Sequence, residues 1–407
     1  MTSRTRATTM ATMTLAVGIT ATLTGCVPNN QGANATALSV DSTASDCVVD
    51  AATAPSGPIT FSVTNSGDQV TEFYILAEDK LRIVGEVENI AAGASRDLTV
   101  VAQPGTYYTV CKPGMIGEGI GQTEFTVSGK TVELSGNDKE AADAAIANYT
   151  AYVKQQVAEL LPNVQLLADA YTAGDDEQAK ALFPITRINY ERIEPTAEQF
   201  GDLDPKIDYR KQGAEDEGLD FTGFHRIEMD LWLSEAQANY PDETITALDA
   251  AGRAAIAEQL VTDVTALKAA VDDPKFELTL GDITNGAIGL LDEVAAPDGK
   301  LSGEEDEFSH TDLYDFYANV EGAEVAFGNV RDIAASKGDE GTELVSKLDT
   351  QFAAMKTLLE TYGNPTDGFV SYDTVDQESR KALGAQLNAL SEPLATLTHT
   401  VLDVKAS

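Results

Sequence analysis

One histidine and one glutamate, three residues apart, offer the clearest metal-binding chemistry in the chain. His225 and Glu228 lie in the segment Gly223-Phe224-His225-Arg226-Ile227-Glu228, and the chain has three histidines in all. Residues three apart in a helix project from one face, so this imidazole and carboxylate would make half of a metal site. The alternative is a hydrogen-bonded pair on a partly buried helix. That helix would have an apolar face, formed by Phe221, Phe224, Ile227, Leu231 and Trp232.

Residues 1–25 are typical of a secretion signal. Arg4 and Arg6 precede an apolar stretch, Met10 to Thr24, that is too short for a membrane span with its own flanks. The stretch ends in Leu23-Thr24-Gly25-Cys26, which resembles a bacterial lipobox. This implies cleavage before Cys26 and lipidation of its sulfur, so that a lipid anchors the mature chain to an extracytoplasmic membrane face. The alternative is an ordinary signal peptide with a cysteine nearby.

The cysteine count agrees with an oxidising compartment. The chain has three cysteines, and a lipidated Cys26 leaves Cys47 and Cys111 as a pair. The two thiols either form a disulfide or bind a metal ion, and the sequence does not choose between these alternatives.

The strongly acidic composition excludes nucleic acid as a partner. The chain has 66 Asp and Glu residues against 27 Lys and Arg, for a formal net charge of −39. Such a surface repels nucleic acid and anionic lipid and concentrates cations around it. Solubility alone explains most of this charge, so acidity permits a cation-handling role without demonstrating one.

Two sequence patterns divide the mature chain. Residues 26–45 are small and polar and predict a tether. Over residues 46–130, short alternating segments such as Ile59-Thr60-Phe61-Ser62-Val63 are separated by turn signals, which predicts a β-sandwich. Over residues 137–407, apolar residues recur at three- and four-residue spacing, which predicts an all-α domain of stacked helical bundles.

Three motifs in the helical part carry a family resemblance. Together with the signal and the strand-rich domain that two cysteines bracket, they resemble the EfeO family of bacterial iron-uptake proteins. Those proteins join a cupredoxin-like domain to an imelysin-like (peptidase-like) helical domain. The motifs are Arg187-Ile188-Asn189-Tyr190-Glu191-Arg192-Ile193-Glu194-Pro195, Phe221-Thr222-Gly223-Phe224-His225-Arg226-Ile227-Glu228 and the segment from Ser302-Gly303-Glu304-Glu305-Asp306-Glu307 to Val320-Glu321-Gly322-Ala323.

The resemblance implies a role in iron uptake. The chain would capture iron outside the cytoplasmic membrane and deliver it to a ferrous-iron permease, alongside a haem-type peroxidase partner. In that picture His225 and Glu228 are metal ligands in the helical domain. The protein would have no catalytic turnover beyond iron redox chemistry.

A complete ligand shell requires oxygen donors from other helices. Glu191 and Glu194 are also three residues apart, and the proline after them predicts a kink. Asp312 and Asp315 are further candidates, although Ser309-x-x-Asp312 fits a helix capping box equally well and Asp315 could be a solvated face residue. One imidazole among carboxylates suits iron or manganese better than copper, and ligand type alone does not exclude zinc.

The β-domain lacks the histidines of a blue-copper site. Such a site needs two of them, and no histidine lies between Cys26 and Phe224. The family resemblance offers a different set, which would hold a second metal such as copper, transfer electrons during iron oxidation, or contain only a disulfide. Its members are Cys47, Cys111, Glu72, Glu86 and Glu88.

Two other functions compete with iron uptake. Imelysin-like domains were grouped as metallopeptidases, and His-x-x-Glu resembles part of a zinc protease signature. A zincin, however, uses His-Glu-x-x-His, and no second histidine follows His225 within a turn. The remaining alternative is a surface lipoprotein that binds its partner without any metal.

Overall fold

The computed structural model describes residues 36–78, 80, 83–115, 119–130, 136–296 and 299–403. The predicted signal peptide, Cys26 and the first part of the predicted tether lie outside the described residues. The tether predicted over residues 26–45 is wrong for Thr36–Ser42, which form a strand. Leu38 and Val40 alternate with exposed neighbours and join the core of the β-sandwich, a pattern that the small, polar composition of this segment concealed.

Within the described residues, nine strands form two sheets that enclose one apolar core. The strands are β1 (Thr36–Ser42), β2 (Cys47–Val49), β3 (Thr53–Pro55), β4 (Gly57–Asn65), β5 (Thr71–Leu76), β6 (Ile83–Ile90), β7 (Ser95–Ala102), β8 (Gly105–Cys111) and β9 (Ile120–Ser128). One sheet has the order β2-β1-β4-β7 and the other has the order β3-β9-β8-β5-β6. Adjacent strands are antiparallel, except that β1 runs parallel to β4 and β3 runs parallel to β9.

Aromatic packing and a disulfide join the two sheets. The ring of Phe61 on β4 lies 5.4 Å from that of Phe73 and 5.5 Å from that of Phe125, both on the opposite sheet. Cys47 and Cys111, 64 residues apart in sequence, form a disulfide between β2 and β8. A cross-link over such a loop stabilises the fold by roughly 4 kcal/mol, because it restricts the unfolded chain. The structure thus shows the disulfide alternative for this pair.

Thirteen α-helices follow the sandwich within the described residues. A β-sandwich followed by an all-α domain is the order that the sequence predicts, so this prediction is confirmed. A two-residue pairing of β10 (Gly363–Asn364) with β11 (Gly368–Phe369) interrupts them. The helices are α1 (Gly136–Ala173), α2 (Asp176–Glu191), α3 (Glu194–Ala197), α4 (Asp204–Ile207), α5 (Lys211–Glu217), α6 (Gly223–Leu231), α7 (Leu233–Asn239), α8 (Ala250–Asp272), α9 (Leu280–Ala295), α10 (Asp312–Ala335), α11 (Gly338–Leu359), α12 (Gln377–Leu394) and α13 (Leu397–Val401).

The long helix α1 packs against α2, α8 and α10 around the core of the helical domain. Its buried residues recur every three or four positions, which explains why the periodicity predicted a helix here. They include Tyr149, Val153, Val157, Leu160, Val164 and Leu167. Helix α2 ends at Glu191, and α3 begins at Glu194 just before Pro195, a residue that has no backbone N–H for a continuing helix. None of the described helices combines the length and the apolarity that crossing a membrane requires.

Strand β6 and helix α9 bring the sandwich and the helical domain into contact. The Asn89 side chain donates a hydrogen bond to the carbonyl oxygen of Asp292 at 2.8 Å, and Arg96 forms an ion pair with the Asp292 carboxylate at 2.9 Å. Near the C-terminus, the Nε2 atom of His399 lies 2.7 Å from the Thr99 hydroxyl. These polar contacts fix β6 and β7 against the helical domain.

Candidate metal centre

A close approach between two short helices places His225 beside an aspartate. Gly223 opens α6 with a φ of +76°, and a Cβ atom at this position would lie 2.1 Å from the carbonyl oxygen of Ile207 at the end of α4. Only glycine permits this contact without a shift of the backbone. The next residue after α4 is Asp208, and the contact brings it against the imidazole of His225.

Both nitrogens of the His225 ring face carboxylates. The Nδ1 atom lies 2.9 Å from Glu228 Oε2, whereas Nε2 lies 3.4 Å from Glu305 Oε1 and 3.5 Å from Asp208 Oδ1. Burial and the charge of Arg187 would lower the pKa of His225. The nearby carboxylates of Glu228, Glu305 and Asp208 outweigh both effects and raise this pKa to about 10. The imidazole is therefore protonated at neutral pH in the absence of a metal.

Both carboxylate oxygens of Glu228 already accept hydrogen bonds. Oε2 faces Nδ1 of His225, and Oε1 accepts the backbone N–H groups of Phe308 at 3.0 Å and Ser309 at 2.7 Å. Glu228 thus ties the loop before α10 to the histidine and fixes the orientation of the ring. Histidines that bind metals commonly donate their second N–H to a carboxylate in this way.

Arg187 occupies the centre of the acidic cluster and is fully buried. Its guanidinium contacts Asp208, and it lies 2.5 Å from Glu191, 3.3 Å from Glu305, 3.5 Å from Asp315 and 3.7 Å from Asp306. A planar guanidinium can meet several carboxylates at once, and it retains its charge when buried. It is therefore the permanent counter-ion of this cluster.

A second buried cation, Lys300, lies beside the cluster. Its Nζ atom has four carboxylate neighbours, of which Glu194 at 3.3 Å and Glu191 at 3.4 Å are the nearest. Glu293 and Glu305 follow, each at 3.8 Å. Burial would lower the pKa of Lys300, but these carboxylates raise it well above its usual value. Glu191 and Glu194 therefore lie against Lys300, and the structure does not place Glu194 at the His225 ring.

The two aspartates predicted on α10 are fully buried in the first turn of that helix. Asp312 accepts the backbone N–H of Asp306 at 3.3 Å, and the N-cap of α10 is Thr311, which makes no capping bond with its side chain. The alternatives of a Ser309 capping box and of a solvated Asp315 are thus wrong. Burial, together with the nearby Asp306 charge, raises the pKa of both aspartates well above the ordinary value.

Five residues of the centre were not among the predicted ligands, although the three motifs that carry the family resemblance contain three of these residues. Glu305 and Asp306 lie in the acidic run that precedes α10, and Arg187 begins the first motif. Lys300 lies two residues before the third motif. Asp208 has no local signal, since only the approach of α4 to Gly223 brings it to the site.

Among the residues that the structure describes, three groups of side chains have donor atoms close enough together to hold one cation, within 4.8 Å of one another. The groups are Asp208 with His225 and Glu305, His225 with Glu228 and Asp306, and Glu191 with Glu194 and Asp208. The first group has the best geometry, because Nε2 of His225 has no well-formed hydrogen bond while both Glu228 oxygens are engaged. An imidazole and two carboxylates form a hard donor set suited to iron or manganese.

The cluster holds more buried carboxylates than cations. Eight buried carboxylates surround Arg187, Lys300 and His225, and they are Glu191, Glu194, Asp208, Glu228, Glu305, Asp306, Asp312 and Asp315. Burial raises the pKa of Asp208 to about 7 and that of Glu194 well above normal, although nearby cations oppose the shift. Protons therefore supply part of the missing positive charge, and a bound metal ion would replace them.

The five candidates of the β-domain do not form one site. Phe73 pairs with Cys111 across β5 and β8, and both side chains lie in the sandwich core. Successive residues of a strand point to opposite faces, so Glu72 lies on the other face of the sheet from the disulfide. The Tyr74 hydroxyl donates to Glu72 at 2.5 Å, and Glu86 lies opposite Tyr74 on β6. Glu72, Glu86 and Glu88 thus share the face that meets the helical domain.

Comparison with known families divides the chain in the same way. The family model described as imelysin matches residues 145–397, and the model described as a cupredoxin-like domain matches residues 14–120. Among solved structures, an imelysin-like protein from Psychrobacter arcticum covers 68% of this chain and 99% of its own, with a TM-score of 0.47 and 12% identity.

Curated relatives align over both domains. A protein of Escherichia coli strain K12 named iron uptake system component EfeO is 37% identical over 353 residues, which is 85% of this chain and 86% of that protein. The protein of the same name from Shigella flexneri gives the same values.

Proposed function

Because the chain belongs to the EfeO family of iron uptake system components, with its cupredoxin-like and imelysin domains, we propose that it binds iron outside the cytoplasmic membrane. A lipid on Cys26 anchors it to that membrane face. The chain passes iron to a ferrous-iron permease and works beside a haem-type peroxidase. It has no turnover of its own beyond iron redox chemistry.

The arrangement around Nε2 of His225 is the observation that supports this proposal. Asp208 and Glu305 face this nitrogen from two other segments, and Glu228 holds the opposite side of the ring. The imidazole nitrogen and the carboxylates of Asp208 and Glu305 suit Fe²⁺ or Fe³⁺ as ligands, and the surplus of buried carboxylates over cations favours binding of a further cation. A zinc peptidase gains no support, since none of the three donor groups found among the described residues contains more than one histidine.

Iron binding by the purified protein tests the proposal. We expect close to one iron per chain after anaerobic loading with Fe²⁺ and removal of free metal, measured by elemental analysis. The variant His225→Ala should lose this iron, whereas His399→Ala, which removes a histidine outside the site, should keep it. Circular dichroism checks that both variants fold. A folded parent without iron, or a His225→Ala variant with full iron, would contradict the proposal.

The affinity for a divalent metal is expected to rise with pH. The imidazole of His225 has a pKa of about 10 without metal, so a metal ion must displace the Nε2 proton. Between about pH 7.5 and about pH 9, above the Asp208 value of about 7, affinity should increase roughly tenfold per pH unit. Titration with Mn²⁺, a stable substitute for Fe²⁺, measures the slope by electron paramagnetic resonance. A flat profile would show that Nε2 is not a ligand.

A further inference from the structure

The His225 site is buried, so a metal ion needs a route to it. The relative exposure of His225 is 1%, that of Glu305 is 5% and that of Asp208 is 7%. On the side towards the β-domain, however, the cluster continues through Lys300 to Glu293, whose side chain is 22% exposed. The most accessible carboxylate next to the buried cations is therefore the one on α9.

Charged groups follow one another from this carboxylate to the imidazole. Glu293 lies 3.8 Å from Lys300 Nζ, and the same Nζ lies 3.8 Å from Oε2 of Glu305. The other oxygen of Glu305, Oε1, lies 3.4 Å from Nε2 of His225. Glu305 therefore faces the metal site with one oxygen and Lys300 with the other, so that each step of the row is a carboxylate-to-cation contact.

The β-domain continues the row on the other side of the domain boundary. Glu88 on β6 is buried, and its carboxyl group lies within hydrogen-bond reach of Glu293, so the two share a hydrogen bond when one of them is protonated. Glu88 also lines a cleft of about 850 Å³ between the two domains. Glu86 on β6 and Asp292 on α9 lie on the walls of this cleft, together with His399 near the C-terminus. The cleft thus connects solvent with the outer end of the row.

We propose that metal ions enter and leave the His225 site through this row, from the cleft past Glu88 and Glu293, and that Lys300 is the gate. The ammonium of Lys300 sits in a cage of four carboxylates, which is the environment that a cation in transit requires. The inference rests on the proposed function, because it assumes that iron binds at His225. In this proposal, the β-domain carboxylates Glu86 and Glu88 form the outer wall of the passage.

The chemistry of lysine suits a gate better than that of arginine. The ammonium is a compact charge on a flexible stem, and none of its four carboxylate contacts is shorter than 3.3 Å. An incoming divalent ion repels the ammonium and attracts the same carboxylates, so the two cations exchange places. When the metal has moved on, Lys300 returns and neutralises the row, which prevents metal from resting in the passage.

Binding kinetics distinguish a residue of the passage from a ligand. Glu293→Gln should slow both the association and the release of Fe²⁺, roughly threefold to tenfold, because it removes one focusing charge from the route. A residue of the route changes the rates of entry and release by the same factor, so the dissociation constant, which is their ratio, should stay within about twofold of the parent value. Stopped-flow fluorescence of Trp232, the single tryptophan, follows binding, because its backbone N–H bonds the Glu228 carbonyl on the helix that carries His225. Excess ferrous chelator measures release.

A matched control uses the partly exposed acid at the other end of the acidic loop. Glu307 bonds the Tyr240 hydroxyl at 3.0 Å, away from Lys300, and Glu307→Gln should leave both rates unchanged. Glu88→Gln provides a second test from the β-domain and should slow both rates as Glu293→Gln does.

Slower exchange in Glu307→Gln with parent rates in the other two variants would overturn the inference. A changed dissociation constant in Glu293→Gln would mark a ligand. A parent without iron would refute the proposed function instead.

Discussion

Replacing Arg187 with methionine is expected to lower the unfolding temperature of the metal-free protein by roughly 6 to 20 °C at neutral pH. Methionine keeps much of the volume but removes the guanidinium that five buried carboxylates share. Breaking a buried ion network costs about 3 to 5 kcal/mol, because the remaining charges have no solvent to replace the lost partner. Thermal unfolding followed by circular dichroism at 222 nm measures the shift.

Arg192 provides the matched control, since it lies only five residues further along the chain. It pairs with Glu321 at 2.6 Å, but both side chains are about one-quarter exposed. Such partly solvated pairs contribute about 1 kcal/mol or less, so Arg192→Met should lower the unfolding temperature by no more than roughly 4 °C. Equal shifts in the two variants would show that Arg187 is not the counter-ion of the cluster.

Acid should partly restore the Arg187→Met variant. Burial already raises the pKa values of Asp208 and Asp315 against the opposing charge of Arg187, so both should rise further without the guanidinium, and a protonated carboxyl needs no counter-ion. The folded variant then binds more protons than the unfolded chain at neutral pH, so its stability increases as the pH falls from about 7 towards about 5. A deficit relative to the parent that stays constant over this range would contradict the electrostatic explanation.

Local patterns in the sequence were sufficient to predict the fold class. Ile59, Phe61 and Val63, at every second position of β4, join the core of the sandwich, and α1 buries every third or fourth residue. Because the period of apolar residues is a local property, it can be read without knowledge of the rest of the chain. The exception is β1, where the polar residues Ser39 and Asp41 occupy exposed positions next to the buried Leu38 and Val40.

The metal centre could be predicted only in part, because its members are distant in sequence. The His225 and Glu228 pair follows from spacing within one helix, and the contact between their side chains agrees with that spacing. Asp208 is different, since it depends on the missing Cβ of Gly223, which allows α6 to touch the end of α4. A sequence shows a glycine at this position but does not show which backbone approaches it.

Partner choice within the cluster is a second property that spacing does not reveal. Glu191 and Glu194 resemble a ligand pair in sequence, yet their carboxylates lie against Lys300, a residue more than 100 positions away. Glu72 gives a second example. It precedes Phe73, which pairs with Cys111, but its side chain lies on the opposite face of the sheet from the disulfide. Strand pairing and the balance of buried charges therefore determine which residues each carboxylate contacts, and residue types alone do not reveal these contacts.

Replacing Glu228 with glutamine is expected to weaken metal binding by up to about 100-fold, although Glu228 is not a ligand in the proposed site. The glutamine oxygen can still accept the backbone N–H groups of Phe308 and Ser309. Its amide N–H₂ group must then face Nδ1 of His225. Because two donors cannot share this contact, Nδ1 becomes the acceptor and the ring proton moves to Nε2. The nitrogen that faces Asp208 and Glu305 thus loses its lone pair for the metal.

The tautomer of His225 separates this effect from the loss of a ligand. Asp208→Asn should weaken binding as well, but it leaves Glu228 in place and the neutral ring protonated at Nδ1 when metal is bound. Nitrogen-15 NMR can resolve the two forms with a diamagnetic ion such as Zn²⁺, since the chain has three histidines. In Glu228→Gln the proton of the neutral ring should appear on Nε2. If Glu228 itself binds the metal, affinity falls in this variant while the proton stays on Nδ1, and the assignment of Nε2 with Asp208 and Glu305 as the site would be wrong.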